Sequence, residues 1–417
     1  MLTFKQYLQE AQTVVGYNKG HMSHADELIF ELGVEGTRAA INFMRDVRDM
    51  LSQGSGNKKT IATVKWDGSP SLVSGINPEN GKFFVAKKSI FNKNPKLYYS
   101  HEDIDADTSG DLAHKLHIAF DECQKLGLKQ GVFQGDIMFT QEMLKREEID
   151  GKSYFTFHPN TIVYAVEADS LLGKKIARSN IGIVWHTTYT GDTIESLKPN
   201  FGMNITDKFK PSSSSWMEDA TLKDVTGVAT FTDTERKYFD SLLSDIGRQF
   251  QRMPAVVVNA IHKDKDLLML VQTYNNSKIR QGEKIDDPQK HVDGLYQFIF
   301  DRYEKEITGL KTTAGKIRKQ EARDKILNFF NLHPKSEIVS VFELARKISI
   351  AKDYLVNKLN QASDIKTFLK TKNGFKVTGA EGFVAISGHG ATKLVDRMEF
   401  SLANFSPEII KGFEKRN

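Results

Sequence analysis

Among its 417 residues the chain has one cysteine, Cys123, so no intrachain disulfide can form and an oxidising compartment would add nothing to stability. Proline, with ten residues, is too sparse for a stiff proline-rich linker. Uninterrupted apolar stretches such as Ile162 to Val166 fall far short of the roughly 20 residues that a bilayer-spanning helix needs. No Gly-x-x-x-x-Gly-Lys-Ser/Thr segment occurs, which excludes a P-loop. Ser387-Gly388-His389-Gly390 lacks the Gly-x-Ser-x-Gly setting of a hydrolase elbow. His21 and His24 lie near a helix start, and His158, His186 and His389 lack metal-ligand spacing with Cys or another His, so no zinc site is expected from them. No fixed-period repeat is evident. Neither sign of charge dominates: 58 Lys and Arg against 53 Asp and Glu leave +5, mildly basic and compatible with a polyanionic partner without requiring one. With 39% apolar and 27% charged residues, the chain can bury the core of two or three domains and is no disordered tail.

Periodicity divides what is present. Leu28, Leu32, Ala39, Ile41, Phe43, Met44, Val47 and Leu51 form a helical stripe over 25–51, ended by a Gly/Ser/Asn/Lys break at 52–59. Short β-like runs follow at Thr60–Val64, Ser71–Ile76, Lys82–Lys87, Gly131–Phe139, Thr161–Ala168 and Ile181–Thr188, interrupted by a helix over about 111–127. Beyond Pro211-Ser212-Ser213-Ser214-Ser215 the helical period takes over, at 233–252, 288–308, 315–330 and 338–362. Strand character returns at Gly374–Val377, Gly382–Ser387 and Thr392–Met398. The expected architecture is α+β. A mostly antiparallel β domain spans 25–200 and is completed by 373–417. A helical insertion fills 201–372, and 1–24 form a separate N-terminal segment.

The β runs carry a series of short motifs. Lys65-Trp66-Asp67-Gly68 stands at a strand end. Phe83-Phe84-Val85-Ala86-Lys87-Lys88 is a strand closing on two cations. Val132-Phe133-Gln134-Gly135-Asp136 is an apolar strand ending Gly-acid, and Ile162-Val163-Tyr164-Ala165-Val166 carries a central aromatic. Glu381-Gly382-Phe383-Val384 and Gly390-Ala391-Thr392-Lys393-Leu394-Val395 follow near the end. In this order they resemble motifs I, Ia, III, IIIa, IV and V of the covalent nucleotidyltransferases, the ATP-dependent DNA and RNA ligases and mRNA capping enzymes. The resemblance covers roughly 60–190 and 374–400. It implies a nucleotidyltransferase fold of ATP-grasp-like ligase type with ATP and Mg²⁺ (or Mn²⁺) as cofactors. Lys65 would be the nucleophile, with Lys65, Asp67, Gly68, Lys87, Asp136, Tyr164, Glu381 and Lys393 against the nucleotide and Glu381 with Asp136 at the metal. Lys87 is preferred to Lys88 because it shares a strand face with Phe83 and Val85.

The chemistry suits these residue types. A lysine amine attacks the α-phosphorus only as the neutral base, and burial beside cations such as Lys87, Lys88 and Lys393 favours that form. Glu381, followed by a glycine that lets the backbone approach, would hold the cation that neutralises phosphate charge. Asp136 would bind ribose or a water, Lys393 would polarise the α-phosphate, Tyr164 would stack on the base, and Asp67 would fix metal or water near the leaving group. Plainer roles stand beside these: Tyr164 as core, Asp136 as a turn cap, and Glu381 with Lys393 as a cross-strand ion pair about a Gly388-His389-Gly390 hairpin.

Two features depart from the family pattern. Val395 replaces the second motif V lysine, and strand alternation over Lys393, Val395 and Arg397 offers Arg397 as its substitute. Only 24 residues follow Lys393, too few for a C-terminal OB domain. The expected activity is an ATP-dependent polynucleotide ligase acting on RNA or DNA ends. The alternatives are a GTP-using capping enzyme and a non-catalytic nucleic-acid-binding protein of a phage head. On a helix, Lys316, Lys319 and Arg323 share one face, a solvated surface or a phosphate-contacting one. Residues 1–10, with Phe4, Tyr7 and Leu8 at helical spacing and Leu8-Gln9-Glu10 before Ala11, resemble the head-targeting peptides of large tailed phages. The two resemblances together imply a protein of the host cytoplasm that could be packaged in the virion head, with nucleic acid as partner and no membrane.

Overall fold

The structure, a computed structural model, describes residues 23–53, 60–202, 204–222, 230–362, 365–387 and 390–412. They fall into two units, one drawn from 61–229, 359–386 and 403–417, the other from 1–60, 230–358 and 387–402. The fold class is α+β with mainly antiparallel sheets.

The first unit carries thirteen strands among the described residues: β1 (Ile61–Lys65), β2 (Ser71–Ile76), β3 (Phe83–Ala86), β4 (Val132–Thr140), β5 (Lys145–Ile149), β6 (Lys152–Phe157), β7 (Ile162–Glu167), β8 (Ile181–Thr190), β9 (Lys198–Phe201), β10 (Ser215–Asp219), β11 (Lys366–Thr371), β12 (Gly374–Val377) and β13 (Gly382–Ser387). One sheet runs β10-β8-β4-β2-β3, with β9 also on β8; β10 lies parallel to β8 and the other pairs are antiparallel. A second, wholly antiparallel, runs β12-β11-β7-β6-β5. β1 pairs with β13 and, through Thr63 opposite Thr221, with the chain leaving β10.

Side chains alternate across a strand, so each face of the first sheet makes its own core. On one face Leu72, Val85, Phe133, Ile137, Ile183 and Trp185 pack on Ile104, Leu116, Ala119, Phe120 and Cys123 of the helices His101–Asp107 and Gly110–Gln124. On the other, Met138, Phe139 and Val184 meet Phe157, Ile162, Tyr164 and Val166 of the second sheet. Burying one such side chain contributes about 1.5–3 kcal/mol. Asp136 shares the second face with Met138, at the end where β2 begins.

The second unit holds the helices Gly33–Gln53, Asp233–Arg252, Ala255–Lys263, Lys265–Arg280, Pro288–Gly309, Thr313–Leu332 and nearly all of Lys335–Leu359. Several of their starts are set by side chains. Thr232 and Glu235 form a capping box, Asp264 and Asp287 accept from the first-turn amides, and Pro288 sits where its missing N–H costs nothing. Phe239, Leu243 and Ile246 form a buried stripe at helical spacing.

The units do not follow the expected limits at 201 and 372. β10 and β11 belong with the β domain, and Gly33–Gln53 with the helices. The expected strand over 392–398 stops at Leu394. The Asp396 carboxylate accepts from Met398 N at 2.9 Å and Glu399 N at 3.1 Å and starts a helix, Arg397–Phe405. Arg397 therefore does not share a strand face with Lys393. Residues 1–10 and the Gly388-His389 turn lie outside the described residues.

Candidate functional site

Lys65 is the last residue of β1 and stands opposite Gly382 in the β1–β13 ladder, which brings Glu381 beside it. The Lys65 ammonium pairs with Glu381 Oε1; the lysine side chain is 32% exposed and the carboxyl 11%. Burial pushes the Glu381 carboxyl above its usual range; Lys65 opposes this, while the Asp67 and Asp136 charges add to it. Three acids and one amine from distant parts of the first unit thus share one electrostatic environment.

The Lys-Trp-Asp-Gly turn is held from below. Asp67, 7% exposed, accepts from Asn160 Nδ2 at 2.7 Å, Thr161 N at 2.7 Å and Ile162 N at 2.9 Å. Those bonds engage both carboxylate oxygens and pin the start of β7, so Asp67 positions the turn and is not free to hold a metal. Its own amide donates to the Tyr164 hydroxyl at 2.7 Å. The Tyr164 ring, 2% exposed, stacks on Phe157 at 5.4 Å and lies against Trp66 at 5.1 Å. Tyr164 is therefore a core residue that supports the motif, with no open face for a base. Burial, with Asp67 nearby, holds its phenol well above the usual range. A Cβ on Gly68 would lie 2.5 Å from Asp136 Cβ and 3.1 Å from the Ile137 carbonyl, so only glycine lets the turn rest against β4.

Asp136 faces a residue that sequence spacing did not select. The β4–β8 register shifts between Gln134, opposite Thr187, and Gly135, opposite Trp185. His186 is the extra residue of that bulge, and its Nε2 lies 3.6 Å from Asp136 Oδ2. Among the described residues the buried Trp66 Nε1 has no hydrogen-bond partner.

Lys87 follows β3, at the same end of the sheet as Asp136. It donates to Asp107 Oδ2 at 2.9 Å; Tyr98 Oη donates to the same oxygen at 2.6 Å, and Lys96 pairs with the other. Hydrogen bonds from Lys96, Tyr98 and Lys87 hold the Asp107 carboxyl well below the usual carboxylate range. Lys393 belongs to the second unit, where its backbone pairs with Ser23 and Ala25. Arg397 is there too, bonded to Asn276 and Glu27. Lys319 pairs with Glu306 at 2.5 Å and Arg323 with Glu304 and Asp324, so two of the three cations of that helix face turn toward acids of the helix before it or of their own.

No metal cluster of three or more His, Cys, Asp or Glu exists among the described residues. No helix among the described residues is long and apolar enough to cross a membrane.

Residues 18–409 match the model of DUF6267, a family of unknown function, and the chain belongs to that family. No curated protein and no solved structure matches it.

Proposed function

We propose that this member of the family is an ATP-dependent nucleotidyltransferase that forms a lysyl-AMP link on Lys65 and uses it to join nucleic-acid ends. The observation that carries the reading is the meeting of Lys65 and Glu381, 316 residues apart in sequence, in one ion pair. Asp136 abuts the same turn through Gly68.

In the first step the neutral Lys65 amine attacks the α-phosphorus of ATP. An N–P bond forms, the P–O bond to pyrophosphate breaks, and the amine loses a proton. Release of Lys65 from Glu381 is needed before attack, and a bound cation would compete for that carboxylate. Glu381 and Asp136 would hold Mg²⁺, which supplies charge neutralisation of the phosphates. His186, beside Asp136, would fix that carboxylate's orientation. The Trp66 indole N–H would donate to the nucleotide. A 5′-phosphate then takes AMP from Lys65, and a 3′-hydroxyl displaces it.

The test is incubation with α-³²P-ATP, α-³²P-GTP or labelled NAD⁺ and Mg²⁺, followed by a denaturing gel. ATP label on the folded wild type, absent from Lys65→Ala, is the expected result. A band with GTP alone would reassign the chain to guanylyl transfer. A folded protein that takes no label from any donor would sink the catalytic reading and favour a non-catalytic nucleic-acid-binding role. The engagement of Arg397 by Glu27 and Asn276 favours that second reading, since it removes a candidate phosphate cation.

A further inference from the structure

The helices His101–Asp107 and Gly110–Gln124 carry the same short pattern, His-x-x-x-Asp, as His101 with Asp105 and His117 with Asp121. Four residues is one helical turn, so each histidine stands over an aspartate on its own helix. The contacts run across the pair instead. His101 Nε2 is 3.0 Å from Asp121 Oδ1, and His117 Nε2 is 2.8 Å from Asp105 Oδ1. The two rings stack with centroids 4.8 Å apart and 28° between planes, and their Nδ1 atoms stand 2.6 Å apart.

A carboxylate only accepts, so each Nε2 carries its proton and donates it. In the neutral imidazole the other nitrogen is then a bare lone pair. With both rings neutral, two Nδ1 lone pairs would meet at the 2.6 Å that separates these atoms. Two acceptors face to face repel unless a cation lies between them. The arrangement of ring nitrogens converging while carboxylates hold the opposite N–H groups is how proteins orient metal-ligating histidines.

We propose that His101 and His117 bind a divalent transition metal through their Nδ1 atoms, with Asp121 and Asp105 orienting the rings and solvent completing the shell. Two imidazoles select zinc, copper or nickel over magnesium. Zn–N bonds of about 2.0–2.1 Å in tetrahedral geometry set the donors about 3.3 Å apart, so the rings part by about 0.7 Å on loading. His101 is 44% exposed and His117 26%, which leaves room for that movement and a path for the ion. The site clasps two helices together. The first of them ends at Asp107, the residue that holds Lys87, so metal at one end steadies a contact at the other.

Equilibrium dialysis of the full chain, stripped with chelator and titrated with Zn²⁺ in excess Mg²⁺, tests this. His101→Ala and His117→Ala are each expected to remove one bound Zn²⁺ per chain relative to the wild type. Asp105→Asn and Asp121→Asn, which keep the side-chain shape, should retain the site with affinity about 10–100-fold weaker. If a histidine variant unfolds, the asparagine pair alone carries the test. Zinc binding unchanged in every folded variant, or no zinc retained by the wild type, would overturn the site and leave a shared proton as the cation between the rings.

Discussion

At the scale of single residues, the turn Lys65–Gly68 concentrates the most consequence in the fewest atoms. Gly68→Ala would press a methyl into Asp136 and the Ile137 carbonyl, and neither can withdraw without moving β4. A loss of about 1–3 kcal/mol is expected from such overpacking, measurable by denaturant unfolding, together with loss of Lys65 labelling. A second residue-scale prediction concerns pH. Burial raises the Glu27 carboxyl to about 7, against the attraction of Arg397, and lowers the His24 imidazole to about 3, against Asp26. Glu27 stabilises below its unfolded value near 4.5, and that contribution is lost as pH rises through 7. His24 acts in the opposite sense: being neutral when folded, it costs stability as pH falls below 6.5. Between pH 4.5 and 6.5 the two slopes oppose each other. Glu27→Gln should therefore unmask a decline in melting temperature toward acid that the wild type lacks. An unchanged profile in that variant would refute the opposition.

At the scale of elements, β2, β12, β13 and the helix Asp233–Arg252 lie where periodicity alone sets them, because their apolar spacing and flanking turn residues agree. The hairpin β5–β6 escapes such reading. Lys145-Arg146-Glu147-Glu148 has the composition of a solvated segment, as suits the edge strand of its sheet. The Asp150-Gly151 pair, with φ of 51° and 75°, was the legible signal of a two-residue turn. Likewise Asp396-x-x-Glu399 is a helix start hidden behind a β-like run. Of the candidate site, motif order pointed to Lys65, Asp136 and Glu381. It could not point to His186, whose position depends on a bulge, nor to His101 and His117, which only the packing of two helices brings together. The basic helix Thr313–Leu332 shows the same limit, since Lys319 and Arg323 turn toward acids that the helix face alone does not reveal. Replacing Lys316, Lys319 and Arg323 by alanine is expected to weaken the pairing with Pro288–Gly309 by about 0.2–1 kcal/mol per exposed ion pair. Nucleic-acid affinity in a filter assay should be unchanged; a marked drop would restore a phosphate-contacting role.

At the scale of the whole molecule, neither unit is one stretch of chain. The β domain takes β11 and β13 from beyond the helices, and both are structural: β11 joins β12 to β7, and β13 is a ladder partner of β1. Truncation after residue 359 would leave the second sheet without β11 and β12 and Lys65 without Glu381. The expected product is aggregated or lacks native near-ultraviolet circular dichroism; a folded, labelling-competent fragment would contradict this arrangement.

The lateness of β13 also sets a clock. Synthesis at about 5–20 residues per second separates the emergence of Lys65 from that of Glu381 by about 16–63 seconds. Throughout that interval the edge of β1 that faces β13 has no partner strand, while its other edge can pair with the chain leaving β10 once residue 222 has emerged. An unpaired strand edge is a template for wrong pairing, so the delay is a window for misassembly that closes only when β13 arrives.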